Sequence, residues 1–171
     1  MIFVTVGTQP APFDRLLNAL ELLPTGEELV VQHGWSRVRP SGATNIDFLP
    51  YESFVEHVRR ARAVIAHAGV GSVLVTIQNG KRPIVVPRLQ SLGEHPDDHQ
   101  HEFARRLEQA GLVTVVEDVS RLPEVLADRS DSAVTPVDRG GTLVQELASY
   151  LGGELRLSTE NARARLALRR P

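Results

Sequence analysis

His67-Ala68-Gly69-Val70-Gly71-Ser72 follows an apolar run, Ala63 to Ala66, and leads into a segment with helical character. A strand that enters a helix through a glycine turn makes an anion site. Glycines let the backbone approach a ligand closely, and the unpaired amides at the start of the helix point at it with the positive end of the helix dipole. Such a site suits a pyrophosphate, but the same residues also fit an ordinary tight turn.

Short apolar runs alternate with amphipathic segments along most of the chain. The predicted strands are Ile2 to Val6, Leu29 to Gln32, Ile46 to Leu49, Val64 to Ala66, Ile84 to Val86 and Val113 to Val116. The predicted helices between them are Phe13 to Leu23, Glu52 to Arg60, Ser72 to Asn79 and Asp98 to Gln109. Runs of Val and Ile without polar alternation are typical of strands buried on both faces. The sequence therefore predicts an α/β fold, a Rossmann-like, doubly wound parallel sheet of about six strands.

The pattern becomes looser after Asp118. A short helix is expected from Leu122 to Ala127, and an amphipathic helix from Thr142 to Leu151 is ended by Gly152 and Gly153. The last stretch, Glu160 to Arg170, combines a small apolar face with several arginines. We therefore expect a Rossmann-like domain over residues 1–153 and a basic helical tail over residues 154–171. Such a tail either packs on its own domain or faces a partner or an anionic membrane.

The composition describes one compact domain with enough chain to bury a core: 171 residues, 42% hydrophobic, 23% charged, with a formal net charge of -2. This near-neutral balance provides no overall field for nucleic acid, so we expect no nucleic-acid partner. The chain has no cysteine and no apolar run approaching the ~20 residues that cross a bilayer. Because Met1 to Gly7 predicts a first strand rather than a signal peptide, we expect a cytoplasmic protein.

Ligands of doubly wound sheets bind at the carboxyl ends of the strands, and the unusual residues of this chain fall there. They are Gly7 and Thr8 after the first strand, Gln32 to Gly34 after the second, Pro50 and Tyr51 after the third, His67 to Ser72 after the fourth, and the segment from Pro87 after the fifth. The sequence therefore predicts one ligand-binding rim.

A long polar loop, Pro87 to Gln100, follows the fifth strand. Loops of this size at a ligand rim more often belong to a site than serve as connections. Two other interpretations stay open. His95, His99 and His101 permit a metal site, although Pro96 interrupts any helix between the first two and we expect no metal. Alternatively, Asp98 simply caps the next helix while His99 and Gln100 are solvated.

Taken together, these segments resemble the C-terminal domain of glycosyltransferase family 28. The matching residues are Phe3 to Thr8 with Phe13 to Leu16, Gln32 and Gly34, His67 to Ser72, Gly80 with Pro83 and Val85 to Arg88, and Gly93 to His95 leading to Asp98 to Gln100. The likeness is to the short, single-domain catalytic subunits, namely that of the eukaryotic asparagine-linked-glycosylation UDP-GlcNAc transferase and its bacterial exopolysaccharide relatives of the PssE type. It covers residues 1 to 118.

The resemblance implies the donor lobe of a two-lobed, GT-B transferase whose acceptor lobe is another chain. The expected function is a donor-binding catalytic subunit of an inverting glycosyltransferase that moves a sugar from a UDP-sugar to a polyprenyl-diphosphate-linked glycan in exopolysaccharide synthesis. The expected partner is a membrane-associated, PssD-like subunit that recruits the chain to the inner face of the plasma membrane. No cofactor is expected.

The resemblance also implies roles for single residues. The backbone near Phe48 and Leu49 would read the uracil ring, and His99 and Gln100 would face sugar hydroxyls. Gly69, Gly71 and Ser72 would hold the pyrophosphate, while Gly7 and Thr8 would border the diphosphate and the acceptor. The rim residues Gln32, Gly34, His67 and Arg88 complete the predicted substrate-binding set.

One position departs from the pattern. Many family members carry a glutamate in the helix after the glycine turn, where it bonds the ribose, whereas this chain has Val75. Thr76, Gln78 and Glu94 are the alternatives for that role, or donor affinity stays low until the partner arrives.

The expected reaction needs two further elements. Negative charge grows on the leaving UDP, and helix amides with a nearby arginine, Arg88, are expected to stabilise it. A general base must also lie near the acceptor oxygen, and Glu94 and His95 are the candidates in this chain unless the partner provides one. The structural alternatives are a solvated carboxylate at Glu94 and a hydrogen-bonded histidine at the strand end for His67.

Two other functions share features with this pattern. A sugar-nucleotide epimerase needs both lobes and several acid/base residues in one chain, and this chain is too short. A non-catalytic UDP-sugar-binding regulator would have the same donor pocket without acceptor chemistry. The identity of the sugar rests on a few contacts and is not readable from the sequence.

Overall fold

The computed structural model describes residues 1–24 and 26–128. The predicted helices over 142–151 and 160–170, and the predicted domain boundary at 153, lie outside the described residues. Among the helices that the structure describes, none has the length and apolar character needed to cross a membrane.

The described residues form one parallel sheet of six strands with helices between them, as predicted. The strands are β1 Ile2–Thr5, β2 Leu29–Gln32, β3 Thr44–Ile46, β4 Ala63–His67, β5 Ile84–Val86 and β6 Thr114–Val115. The α-helices are α1 Asp14–Leu20, α2 Tyr51–Arg60, α3 Val70–Gln78, α4 His99–Gln109 and α5 Leu122–Ala127, with 3₁₀ turns at Gln90–Leu92 and Val119–Arg121. The strand order is β3-β2-β1-β4-β5-β6.

The central strands are buried on both faces, which is why their sequences are continuous apolar runs. In β1, Ile2 and Val4 belong to the core on the α1 side, with Leu16 and Leu17. Phe3 points to the other side, where it packs with Val58. Its ring meets that of Phe54 edge to face at 5.3 Å between centroids. The helices therefore cover both faces of the sheet, as a doubly wound fold requires.

Two element boundaries differ from the prediction in ways that affect the site. We expected the third strand over Ile46 to Leu49, but β3 is Thr44–Ile46. Its partner β2 ends at Gln32, and the positive φ of Gly34, 52°, turns that chain away. One further backbone hydrogen bond joins the two segments beyond the strands, from the Gly34 amide to the Asp47 carbonyl at 3.1 Å, and the next residue, Phe48, lies exposed.

The second difference concerns helix α3. We expected it from Ser72, but it begins at Val70 with Gly69 as its N-cap. The predicted pyrophosphate residues Gly71 and Ser72 thus lie inside the first turn of the helix. Backbone amides in that turn have no hydrogen-bond partner within the helix.

The strand order places the glycine turn at the topological switch point. From β1 the chain moves toward β2 and β3, whereas from β4 it moves toward β5 and β6. The carboxyl ends of β1 and β4 are neighbours, since Thr5 pairs with Ala66. The space above them, which we call the switch crevice, is where open α/β sheets bind ligands.

Candidate functional site

The start of helix α3 forms one wall of the switch crevice. Its N-cap, Gly69, has an extended backbone, and no side chain of the described residues caps the helix. The first backbone hydrogen bond runs from the Val73 amide to the Gly69 carbonyl, 3.1 Å, so the amides before it are available to an anion. A Cβ at Gly71 would meet no atom within 4 Å. The helix end thus faces open space with an uncovered backbone.

His67 forms the floor between this helix and the first strand. His67 is the last residue of β4, and it is 7% exposed. A Cβ added at Gly7 or at Gly69 would overlap its imidazole ring, so both glycines are required for the close approach of the backbone. Gly7 also has a φ of 77°, which disfavours any other residue.

The His67 ring is uncharged at neutral pH. Burial lowers its pKa to about 4, and the positive charge of Arg88 acts in the same direction, against an opposing hydrogen-bond contribution from the Thr5 backbone. Its Nδ1 has no hydrogen-bond partner among the described residues. The ring offers polar atoms without charge beneath the crevice.

Gln32 lies behind this floor and connects the ends of β1 and β2. It is 3% exposed, and its Oε1 accepts a 2.8 Å hydrogen bond from the Thr5 hydroxyl. That hydroxyl in turn accepts from the Gly7 amide at 3.2 Å. These contacts fix the turn after β1. The structure thus gives Gln32 a supporting position rather than one on the exposed rim.

Two exposed aromatic rings continue the rim beyond β2. Trp35 is 58% exposed and Phe48 is 43% exposed, and their centroids lie 5.8 Å apart with the planes at 64°. The backbone beside Phe48 is the predicted uracil position, and Leu49 next to it is half-buried. Trp35 was not among the predicted site residues, although its place directly after Gly34 was a signal for it.

Arg88 does not lie where we expected it. The guanidinium is completely buried, stacks on the Phe13 ring at 4.6 Å, and donates to the carbonyls of Val6, Ala11, Pro12 and Glu94 at 3.0 to 3.2 Å. Burial lowers its pKa to about 10, which leaves it charged at neutral pH. The prediction that Arg88 reaches the leaving diphosphate is therefore corrected: its side chain ties together the loops that line the crevice.

Glu94 is likewise held inside the structure. Its carboxylate binds Arg15 through two hydrogen bonds of 2.9 Å and accepts from the Leu89 amide at 3.0 Å. The side chain is 7% exposed, so it is not the solvated carboxylate of the alternative interpretation. The contacts of this ion-paired carboxylate shape the loop after β5.

His95, next to it, has the geometry of an oriented imidazole. Its Nδ1 lies 2.9 Å from Oδ1 of Asp97, and the His95 side chain is 16% exposed. A carboxylate at one ring nitrogen fixes the ring orientation and leaves the other nitrogen for proton transfer. Asp97 was not predicted as a site residue, and only its spacing from His95 signalled it.

The start of helix α4 differs from the capping interpretation. The Asp98 side chain makes no capping hydrogen bond and instead accepts from the Gln90 amide at 3.1 Å. Asp97 accepts from the His99 amide at 3.2 Å. Gln100 accepts from the Arg88 amide at 3.3 Å, which holds it against the end of β5, while His99 is exposed.

The three histidines of this region do not converge. His95 pairs with Asp97, whereas Nε2 of His101 lies 2.7 Å from the Glu117 carboxylate. Among residues 1–24 and 26–128, no group of three His, Asp or Glu side chains is placed to share a metal ion.

The contacts around Val75 reduce the number of residues that could bind the ribose in place of the missing acid. Val75 itself is half-buried. Thr76 is fully buried, and its hydroxyl donates to the Ser72 carbonyl one turn earlier at 2.8 Å. Glu94 is held by Arg15. Of the three replacements considered for the missing acid, only Gln78 is exposed.

Comparisons with known proteins agree with this fold. The model of the glycosyltransferase family 28 C-terminal domain matches residues 1–137. The UDP-N-acetylglucosamine transferase subunit ALG13 of Homo sapiens is 35% identical over 123 residues, 64% of this chain and 10% of that protein. The protein of the same name from Yarrowia lipolytica is 30% identical over 125 residues, 63% of this chain and 60% of that one.

Solved glycosyltransferases share the fold at low sequence identity. The calicheamicin glycosyltransferase CalG4 superposes with a TM-score of 0.59 at 20% identity, covering 88% of this chain and 43% of that one. The glycosyltransferase SnogD from Streptomyces nogalater superposes with a TM-score of 0.56 at 19% identity, covering 79% of this chain and 36% of that one. The predicted Rossmann-like fold, shared with one part of larger GT-B glycosyltransferases, is confirmed. The chain belongs to the glycosyltransferase family 28 C-terminal domain family.

Proposed function

We propose that the chain is the donor-binding catalytic subunit of a two-component inverting glycosyltransferase. In this proposal it moves a sugar from a UDP-sugar to a polyprenyl-diphosphate-linked glycan in exopolysaccharide synthesis. The observation that carries it is the uncapped start of α3, which faces open space at the switch crevice over Gly69 and Gly71. Backbone amides on a helix dipole are a diphosphate site.

The donor would lie along the rim. Its diphosphate would contact the amides of Gly71 and Ser72, with Gly7 and Thr8 on the opposite side. Its base would reach the backbone at Phe48 and Leu49, and its sugar would face His99 and Gln100. Gln32, Gly34, His67 and Arg88 would act from behind this surface, because three of their side chains are buried and Gly34 has none.

Charge on the leaving diphosphate would be stabilised chiefly by the α3 amides. These dipoles are already oriented, so they need no rearrangement as the bond to the anomeric carbon breaks. The neutral His67 ring, with an unpaired Nδ1, adds a polar floor without repelling or neutralising the anion. The acceptor oxygen would attack from the opposite face, which inverts the anomeric centre.

Within this chain, His95 is the better candidate for the general base. Asp97 orients its ring, whereas the Glu94 carboxylate is committed to Arg15 and the Leu89 amide. We therefore assign Glu94 a positioning role in the loop that carries His95. A base from the acceptor lobe is the competing source, and variants of His95 distinguish the two.

The acceptor lobe would be a membrane-associated, PssD-like subunit, giving a heterodimer at the inner face of the plasma membrane. One finding supports a separate partner: the relatives from Homo sapiens and Yarrowia lipolytica are named as subunits.

The test is a transfer assay with labelled UDP-sugars and a polyprenyl-diphosphate glycan. The chain is purified alone and together with the product of the neighbouring gene. We expect transfer only by the pair, and loss of transfer when this chain carries Gly71→Ala. UDP binding by this chain without transfer by either preparation would contradict the catalytic assignment.

The second candidate is a non-catalytic UDP-sugar-binding regulator. The observation that favours it is the burial of Glu94, which removes one of the two in-chain acid/base candidates from the crevice. It shares the donor site with the main proposal, so donor binding does not separate them. Transfer by the pair excludes it.

A further inference from the structure

An aromatic pair on the rim has no part in the chemistry described so far. Trp35, the sole tryptophan of the chain, leaves more than half of its side chain in solvent, and Phe48 lies against it. Large aromatic side chains contribute most when buried, and an exposed pair in contact at a ligand rim indicates a binding surface.

The backbone beneath Trp35 is firmly anchored. The buried His33 ring lies 2.8 Å from the Asp47 carboxylate through Nε2, and the Gly34 amide donates to the Asp47 carbonyl at 3.1 Å. On the other side, the Ser36 hydroxyl accepts from the Phe13 amide at 2.8 Å. An exposed ring on a fixed backbone is preorganised for a ligand, since little order remains to be imposed on binding.

The pair is continuous with the switch crevice. A Cβ at Gly34 would lie 2.8 Å from the Gly7 carbonyl and 3.8 Å from the Phe48 ring. The turn after β2 therefore touches the turn after β1 on one side and the aromatic pair on the other. The glycine turn follows β4, and β4 is separated from β2 by two strand spacings, a distance of about 10 Å. An extended nucleoside diphosphate bridges such a span between its diphosphate and its base.

We propose that Trp35, with Phe48, forms the stacking surface for the base of the donor nucleotide. This inference rests on the proposed function and deepens it by assigning a specificity residue. The two planes meet at 64°, so they form a corner, with one ring face for stacking and the edge of the other for lateral contact. Stacking on an aromatic face holds a planar base, and backbone groups at Phe48 and Leu49 would then read its edge.

The single tryptophan makes the test direct, because all indole emission reports on Trp35. The protein is titrated with UDP while tryptophan fluorescence is recorded, and the same titration is followed by calorimetry. We expect UDP to quench the emission saturably, with the same midpoint concentration as in the calorimetric titration. Inorganic pyrophosphate, which has no base, should bind at the glycine turn without that quenching.

Variants give an independent readout. Trp35→Ala should weaken UDP binding by about tenfold, and Trp35→Phe, which keeps a stacking face, should restore most of it. Leu22→Ala is the matched control, because Leu22 is an exposed apolar side chain beyond the C-terminus of α1, in the connection that leads to the amino end of β2. Its UDP affinity should equal that of the unaltered chain.

The outcomes separate the two claims. Calorimetric binding of UDP with unchanged emission and unchanged affinity in Trp35→Ala would overturn the role of Trp35 and leave the donor site standing. Failure of the unaltered chain to bind UDP at all would overturn both.

Discussion

The imidazole of His67 fills the space that a Cβ at Gly69 would need, two residues later in the same turn. This contact draws the end of β4 against the start of α3, and Gly7 meets the same ring from β1. The approach of three backbone segments around one side chain makes the floor of the switch crevice. Gly69 and Gly71 have different roles in this turn, and single substitutions distinguish them.

Gly69→Ala should destabilise the fold, whereas Gly71→Ala should not. The added methyl at Gly69 must displace the buried His67 ring, which costs about 1–3 kcal/mol of unfolding free energy as overpacking does. At Gly71 it projects into open space, and alanine is the better helix former by up to about 1 kcal/mol. Urea unfolding measures both variants. Equal destabilisation of the two would contradict the assigned contact.

The buried His67 predicts a stability that depends on pH. The unfolded chain protonates this ring near its ordinary pKa of 6.5, but the folded chain only near 4. Between these values the unfolded state binds more protons, so the unfolding free energy falls as the pH is lowered. The loss is about 1.4 kcal/mol per pH unit and reaches about 3 kcal/mol at most.

Unfolding curves of the unaltered chain and of His67→Gln between pH 7 and pH 5 measure this effect, since the carboxylates titrate mostly below that window. The variant should have the flatter dependence, whatever its absolute stability. Parallel curves would show that His67 titrates normally in the folded chain.

Arg88 should matter for folding rather than for the donor directly. Arg88→Met leaves buried carbonyls, among them those of Val6 and Glu94, without their donor. A loss of about 3 kcal/mol or more is expected. Arg88→Lys should recover little, because one ammonium cannot replace the planar fork. A stable Arg88→Met protein that fails to bind UDP would instead restore the diphosphate role that we first assigned to this residue.

Variants of His95 and of Glu94 should have different effects in the transfer assay. His95→Asn should lower the kcat of the reconstituted pair by about 10² or more if it is the base, with little change in UDP affinity or stability. Glu94→Gln should act mainly on stability, since it breaks the pair with Arg15. Unchanged kcat in His95→Asn would place the base in the acceptor lobe.

The sequence was a good guide where one element is decided by its own residues. Continuous apolar runs such as Ile2 to Val4 and Ala63 to Ile65 identified buried parallel strands, and the glycine turn identified the switch point. The end of β3 was misplaced because it depends on where its partner β2 turns, at Gly34, and local apolar character at Phe48 does not report that.

Side-chain roles were harder to predict for the same reason. Arg88 and Glu94 sit in a polar loop, where charged side chains are usually solvated. Their burial depends on Phe13 and Arg15, which lie more than 70 residues earlier in the chain. Asp97 and Trp35 had local signals, but only the folded chain brings them against His95 and Phe48.

Titration calorimetry of the purified chain with UDP, alongside Gly71→Ala and Ser72→Ala, tests the donor site most directly. We predict saturable binding of one UDP per chain, weakened in Ser72→Ala and more strongly in Gly71→Ala, whose methyl enters the open space at the start of α3. Both variants should unfold at the urea concentration of the unaltered chain or above it. Absence of UDP binding, or equal affinity in all three proteins, would contradict the account.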